Sequence, residues 1–387
     1  MNTLVAAQVA FGSLVLFIAG LFMSTFQRLT HEPLGFSTAR VLTLDSSSKN
    51  RLPADLWYQE MERLRALPSV ESAAIAGFPL MSNNAWTNLV WANGHAPEGM
   101  LAPSFLDISP GWFDTMKIPL LGGRDFHPED TYPQVAAVNE TFARRYFDGR
   151  NPVGGTLETI EGKARAKLTI VGYVRDARYN DIRRPIPPTV YVPFRRAGGG
   201  RATGNNFAAA AFILRTTEID PVAVAPLMRQ EIPREHPELR VANLRTQEEL
   251  VRSQTIRERM LAMLSLFFAA VALVLAGVGL YGVLNYAVLH RRRELGIRIA
   301  LGAQPSHIAN RVSVEEFSML LIGATAGLSL GIASERYIAT VLYQVKVTDA
   351  LILAAPAITI LAAAALAALP PVVRAIRIDP TETLRSQ

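Results

Sequence analysis

Four long stretches of this chain carry no Asp, Glu, Lys or Arg. They run from Leu4 to about Phe26, Met260 to Leu289, Phe317 to about Ser334, and Ala350 to Val373. A hydrocarbon core takes roughly 20 apolar residues of helix. Residues 4–26, 260–289, 317–334 and 350–373 are therefore expected as transmembrane helices. Between the first two, the pattern changes to short apolar alternation broken by Gly, Pro and polar clusters. Strands are expected at Val41–Leu44, Val70–Ala76, Val135–Val138, Leu168–Val174, Thr189–Phe194, Ala208–Leu214 and Leu239–Leu244. Helical spacing marks Asp55–Leu67, Glu140–Phe147 and Val222–Ile232, the second with Asn139 as its cap. Ala197 to Gly204 reads as a glycine-rich loop, and residues 28–245 have room for two subdomains.

The pattern resumes at Thr246-Gln247-Glu248-Glu249, a capping box. With no Gly or Pro before Gly277, the helix it opens is expected to run unbroken into the second span. Residues 246–259 then form a stalk of roughly 20 Å at about 1.5 Å per residue. The predicted fold class is an α-helical membrane protein with four transmembrane helices and a large α+β domain inserted between helices 1 and 2.

Composition agrees with this division. Half of the 387 residues are hydrophobic and mean hydropathy is +0.19, too apolar for an average soluble chain and too polar for spans alone. The net charge is +6 and the sequence pI about 9.7, with Arg28, Arg259, Arg291 to Arg293, Arg374 and Arg377 at span ends. Interfacial anchoring explains that placement better than nucleic-acid binding does. Lys and Arg beside a span are retained in the cytoplasm. Residues 290–314 and the tail 374–387 are accordingly expected there, with both termini cytoplasmic and residues 28–245 outside. The first apolar run exceeds the usual length of a signal-peptide core and lacks a basic leader, which favours a retained anchor.

The chemistry of enzymes is hard to find. There is no cysteine, which removes disulfides, thiolate zinc sites and thiol nucleophiles. His31, His95, His127, His236, His290 and His307 lack metal-ligand spacing and are read as surface or interfacial, and Glu129-Asp130 as a solvated loop pair. No metal and no cofactor is expected. Neither GxSxG nor GxxxxGK[ST] occurs, so any ATP hydrolysis belongs to a partner. Gly277, Gly279 and Gly282 satisfy GxGxxG by letter, but inside a span they serve helix packing. Gly323, Gly327 and Gly331 put small residues on one helix face, as close helix contact requires. Asn139-Glu140-Thr141 is a glycosylation sequon by letter and a helix cap by context. The spans lack the ionisable residue that ion-driven carriers keep in the membrane.

The segment Arg291-Arg292-Arg293-Glu294-Leu295-Gly296-Ile297-Arg298-Ile299-Ala300-Leu301-Gly302-Ala303, the tail Arg374-Ala375-Ile376-Arg377-Ile378-Asp379-Pro380, and Val138-Asn139-Glu140-Thr141-Phe142-Ala143 with Ile170-Val171-Gly172-Tyr173-Val174 in the exported part carry a resemblance. The chain resembles the FtsX-like/MacB-type permeases of ABC systems, and within them one (second) half of the duplicated orphan permeases of acidobacteria. Residues 28–245 are similar to the MacB periplasmic core domain. The resemblance implies an inner-membrane permease that does not pass substrate through its spans. It couples ATP hydrolysis by a partner ABC ATPase to motion of the periplasmic domain, in efflux or in the handling of envelope substrates. It further implies that Arg291, Arg292, Arg293, Glu294, Gly296, Arg298, Gly302 and Ala303 form the ATPase-coupling segment, and that Arg377, Asp379 and Pro380 belong to a cytoplasmic signature. These arginines equally suit simple orientation of the spans by contact with membrane lipid. A second permease half or a homodimer is expected, since one half cannot face both subunits of an ATPase dimer. The alternative is a non-transporting scaffold whose periplasmic domain binds and regulates an envelope protein. Cargo is not written in the sequence.

Overall fold

The computed structural model describes residues 2–93, 102–162, 164–197, 205–290, 305–339, 341–345 and 350–376. The chain divides into two compact units, one of Glu32–Gln254 and one of Met1–His31 with Thr255–Gln387.

The Glu32–Gln254 unit is built on one eleven-stranded sheet. Its strands are β1 (Val41–Pro53), β2 (Val70–Ala76), β3 (Val90–Ala92), β4 (Ser104–Ile108), β5 (Leu120–Gly123), β6 (Val135–Asn139), β7 (Thr156–Glu161), β8 (Ala164–Val174), β9 (Thr189–Pro193), β10 (Asn206–Thr216) and β11 (Leu239–Thr246). Their order is β11-β1-β10-β2-β4-β9-β6-β8-β7-β3, with β5 added to β8. All seven expected strands are present, and β3, β4, β5 and β7 are additional.

The sheet has two parts. In β11-β1-β10-β2 every pairing is antiparallel, whereas β4–β9 and β6–β8 are parallel. The parts are joined by a single residue pair between β2 and β4, Ala76 with Ile108. Each has its own core. The first gathers Leu42, Leu44, Ile75, Phe212 and Leu214 under helices α2 (Ala54–Arg65) and α5 (Ala225–Glu235). The second gathers Phe105, Val138, Leu157, Leu168, Ile170 and Val190 under α4 (Glu140–Tyr146). In sequence the second part is inserted within the first, between β2 and β10.

Helix α2 illustrates the local code. Trp57, Met61 and Leu64 fall on one face at helical spacing and are buried. Asp55 lies in the first turn and Arg63 and Arg65 in the last, each matching the helix dipole. At α4, Asn139 is the cap: its Oδ1 accepts from the Phe142 N–H at 2.9 Å and also from Thr189 N–H, while its Nδ2 donates to Pro187 O. A short helix α3 (Trp112–Met116) completes this unit.

The second unit contains α1 (Asn2–Thr30), α7 (Ile256–His290), α8 (Pro305–Ala333), α9 (Glu335–Ile338) and α10 (Ala350–Ile376). Val5–Thr30 and Ile256–Val283 are long and apolar enough to cross a bilayer; Leu320–Ala333 and Leu353–Ala367 are shorter apolar helical stretches among the described residues.

One expectation is corrected. The helix opened by Thr246 is not continuous: α6 (Gln247–Ser253) ends in a turn at Gln254–Thr255 before α7 begins. The physical reason lies in side chains. Gln254 Nε2 donates to Met81 O at 3.0 Å and to Asn83 Oδ1 at 2.7 Å, and Ser253 Oγ to Leu250 O, so polar groups near the break are committed elsewhere.

Candidate functional site

In the helical unit, α1 is the helix around which others pack. Gly323, Gly327 and Gly331 repeat at four-residue spacing on α8 and meet α1 at Val9, Ser13 and Phe17 in turn. A Cβ added at Gly323 lies 2.8 Å from the Ala6 carbonyl oxygen, and one at Gly331 closes on the Phe17 ring. Only a hydrogen fits there, because backbone and side chain on α1 already occupy the space. Val5, Val9, Leu280, Leu320, Ile360 and Ala364 form an apolar cluster joining α1, α7, α8 and α10, and Phe17 and Leu21 centre a second. On α7, Gly279 faces the Gln8 amide, whose Nε2 donates to Leu275 O at 2.7 Å. A Cβ at Gly277 or Gly282 meets nothing within 4 Å: Gly277 borders an apolar cavity with Val9, Leu320 and Ile360, and Gly282 is exposed.

The opposite faces of these helices are apolar and bare. On α7, Met260, Leu264, Phe267, Phe268, Val274 and Val278 are each more than half exposed, as are Leu321, Ile322 and Leu330 on α8. Water does not tolerate a patch of this extent on a soluble protein, whereas lipid does.

The Glu32–Gln254 unit grips both ends of its own chain. At the leading end, the buried Arg178 guanidinium pairs with Glu32 and donates to Ile182 O and Arg184 O, each at 2.7 Å. Gly35, at φ +78, lies so close to the Asp176 carbonyl that no side chain fits. Arg215, 2% exposed, donates to Thr115 O and to Ala39 O, with burial pulling its pKa down. At the trailing end, Thr246 Oγ1 accepts from Glu249 N–H at 3.0 Å and the Glu249 carboxylate accepts from Thr246 N–H at 2.9 Å, the reciprocal capping box. Gln247, fully buried, donates from Nε2 to Leu80 O at 2.8 Å. Both chain ends are thus fixed to the sheet by hydrogen bonds of side chains that solvent does not reach, and each such bond is costly to leave unmade.

Two carboxylates inside this unit are strongly shifted. Burial pushes Glu60 up to about 7, against the opposing pull of Arg63 at 3.3 Å. Burial likewise pushes Asp107 up to about 6, with Arg196 at 3.2 Å opposing. Both carboxylates face an arginine and form internal ion pairs. Two surface expectations are corrected as well. Asp130 is not solvated: Arg124 binds it at 2.6 Å and its side chain is 10% exposed, while Glu129 does face solvent at 74%. His236 is 21% exposed and sits 3.7 Å from Glu60. Among the described residues no group of three or more His, Asp or Glu is arranged to hold a metal ion.

Residues 3–230 match the MacB-like periplasmic core domain, and residues 266–380 match the FtsX-like permease C-terminal domain. The chain belongs to the FtsX/MacB-type ABC permease family. A macrolide export ATP-binding/permease protein MacB of Agrobacterium fabrum is 24% identical over 283 residues, covering 71% of this chain and 42% of the relative. The probable syringafactin export ATP-binding/permease protein SyfD of Pseudomonas syringae pv. tomato is 26% identical over 58% of this chain and 33% of its own length. The chain thus spans less than half the length of these curated relatives. Among solved structures, the periplasmic region of MacB from Actinobacillus actinomycetemcomitans is matched over 59% of this chain with 13% identity and a TM-score of 0.38.

Within this permease, the expected coupling residues Arg291, Arg292, Arg293, Glu294, Gly296, Arg298, Gly302 and Ala303 lie outside the described residues, as do Arg377, Asp379 and Pro380 of the tail. The capping box at Thr246 was legible in the sequence; what sequence reasoning missed are the two buried arginines that clamp the leading end and the Gln247 bond at the trailing end. Arg178 and Arg215 are arginines among thirty-nine Lys and Arg, and only the strand-flanking position of Arg215 hinted at burial.

Proposed function

We propose that this chain is the permease component of an ABC-type mechanotransmission or efflux system. In this reading a cytoplasmic ATPase acts on the segment Arg291–Ala303, and the periplasmic domain moves in response. Four spans, at residues 4–26, 260–289, 317–334 and 350–373, hold both termini in the cytoplasm. The permease works with a second half, as in the duplicated permeases of acidobacteria, or as a homodimer. The observation that carries the reading is that the chain matches a periplasmic core domain and an FtsX-like permease domain in one continuous order. Support comes from the bare apolar faces on α7 and α8 and from the buried side-chain bonds that hold both ends of the sheet unit. The names of its relatives make export of hydrophobic or amphiphilic compounds the first cargo class to examine.

The test is a pull-down of the tagged full chain from native membranes, read by mass spectrometry, beside an Arg292→Glu/Arg293→Glu variant. An ABC ATPase retained by the parent and lost from the variant is the expected result. An envelope protein in place of any ATPase, in both samples, overturns it in favour of a scaffold. Because the chain has no cysteine, single cysteines placed at residues 50 and 292 report topology by labelling from either side of the membrane. Labelling of both from the same side rules out the proposed orientation.

A further inference from the structure

Between the helices of the second unit lies a cleft that no side chain fills. Val9 and Gly12 of α1 and Leu320 of α8 form its floor, and all three are buried. Its sides are α7, from Leu273 to Leu280, and α10, from Ile360 to Ala364. Leu280, Ile360 and Ala364 are buried as well, whereas Leu273, Ala276, Gly277 and Ala363 keep part of their surface. The cleft is therefore closed by α1 and α8 and opens between α7 and α10. Counted to that open side, it holds about 310 Å³ of atom-free space.

Two glycines keep it open. A Cβ at Gly277 meets nothing within 4 Å, and one at Gly12 only just reaches the Ala272 carbonyl oxygen, at 4.0 Å. Close-packed interiors leave few voids of this kind, because the lining loses dispersion contacts on its empty side. Water is a poor filler here. Every residue that lines the cleft is Val, Leu, Ile, Ala or Gly, and a buried water needs about two to four polar partners.

Depth and surroundings say what does fill it. On α7 (Ile256–His290), α8 (Pro305–Ala333) and α10 (Ala350–Ile376) the lining positions fall at or just past the middle of the helix. A hydrocarbon core about 30 Å thick is filled from both faces by acyl chains that end near its middle. Beside the mouth, Val274 and Val278 on α7 and Leu361 and Leu366 on α10 are exposed and apolar. The mouth is continuous with the apolar surface that suits lipid, at the level where chain ends lie.

We propose that this cleft takes the end of one phospholipid acyl chain, which enters between α7 and α10 and packs on Val9 and Leu320. The proposal rests on the reading of these helices as membrane spans. An alkyl chain end supplies the missing dispersion contacts and leaves no polar group unpaired. It also brings lipid against Val9, which protein otherwise shuts off at 1% exposure.

The test uses the full chain in nanodiscs of phosphatidylcholine that carries a diazirine at the end of one acyl chain. After illumination, adducts are mapped by proteolysis and mass spectrometry. Val274 and Val278 report contact with lipid as such, and Val9 and Leu320 report entry into the cleft. Labelling of both pairs is expected in the parent. Gly277→Leu and Ala363→Leu narrow the mouth from its two sides. Loss of the floor adducts in either variant, with those at Val274 and Val278 retained, supports the proposal. A bundle that fails to pack would expose Val9 and Leu320 and raise their labelling, so misfolding does not mimic that loss. Floor residues unlabelled in the parent, beside labelled Val274 and Val278, overturn the proposal and leave the spans standing. A second copy of the chain seated over the mouth would give that result. Floor adducts that survive in both variants also overturn it, since lipid then reaches α1 by another route. If Val274 and Val278 themselves stay unlabelled, the membrane reading has failed and the proposal falls with it.

Discussion

The two units handle aromatic residues in opposite ways. In the sheet unit Trp57 has no exposed surface and packs against Phe212 at 5.7 Å and Phe194 at 6.4 Å. In the helical unit Phe267 and Phe268 are 61% and 54% exposed and chiefly meet each other, 5.7 Å apart. One rule, removal of apolar surface from water, produces both arrangements once the solvent changes from water to lipid. The sheet unit draws its stability from a buried core. The helical unit draws its own from close fit, because lipid and leucine are equally apolar. Truncation should therefore damage the first, and crowding the second.

The sharpest way to break this comparison is a matched pair of truncations. Trp57→Ala should cost the sheet unit about 3–5 kcal/mol, through lost burial and an unfilled cavity. Phe267→Ala should change stability in detergent or nanodiscs by less than about 0.5 kcal/mol. Denaturant titration followed separately by near-UV signal and by limited proteolysis of the two units reads both. A cost above about 2 kcal/mol for Phe267→Ala in the isolated monomer would mean that its face is covered by protein.

Glu60 sharpens the contrast by pH. It has no exposed surface, and it is faced by Arg63, Glu231, Glu235 and His236. Its folded-state pKa, about 7, lies above the ordinary carboxylate value of 4.5. Between those two values the folded state binds the extra proton, so stability falls as pH rises from about 4.5 to about 7 and is level above that. At about 1.4 kcal/mol per pKa unit the swing is on the order of 3 kcal/mol. Glu60→Gln should flatten the stability–pH curve of the sheet unit across that window and leave the helical unit unchanged. An unaltered slope in the variant assigns the pH dependence to another group.

Crowding is the complementary probe. Gly327→Ala drives a methyl group into the Ala10 carbonyl and the Ser13 side chain and should cost about 1–3 kcal/mol. Gly277→Ala, on a helix of the same kind, meets open space and should be neutral or slightly stabilising, in line with the ~0.5–1 kcal/mol helix preference for Ala over Gly. Unfolding by mixed micelles distinguishes the two. Equal effects would mean that the α1–α8 contact contributes little.

These contrasts also explain what could be read from sequence. Apolar runs bounded by turn residues revealed β2 to the residue and β6, β8, β9, β10 and β11 nearly so; β8 alternates between buried and accessible positions, whereas β9 is buried throughout. Ser104–Ile108 and Thr156–Glu161 escaped notice for different reasons. The first is a short run broken by Asp107, and the second is polar, with its apolar positions spread among Glu and Thr. The border between subdomains escaped because one is inserted within the other and no single cut in the chain separates them. Small-residue spacing revealed the α8 seam at Gly323, Gly327 and Gly331; on α7 Gly279 meets Gln8 and Gly277 borders a cavity between helices, whereas Gly282 is exposed, since letters do not say which way a helix is turned. Arg178 and Arg215 could not be recognised as clamps, because the partners that tie them to the chain end, Glu32 for the first and Ala39 for the second, lie more than a hundred positions away.

The smallest expected effect concerns the junction where the sheet unit ends. The capping box at Thr246 and Glu249 satisfies two amides that the first turn of α6 would otherwise leave without partners. Thr246→Ala removes one of these bonds and should cost about 1 kcal/mol. Thr246→Ser keeps the hydroxyl and should cost less. Stability alone does not distinguish a cap from any other surface bond; position does. Gln247 and Gln254, on the same turn and the next, hold the backbone of Leu80 and Met81. Loosening the first turn should therefore raise hydrogen exchange at residues 78–83 as well as at 247–253, while exchange in the α2–α5 core stays unchanged. If α6 alone responds, the loop is held independently of the helix, and the trailing clamp is two separate contacts rather than one rigid element able to carry a displacement into the sheet.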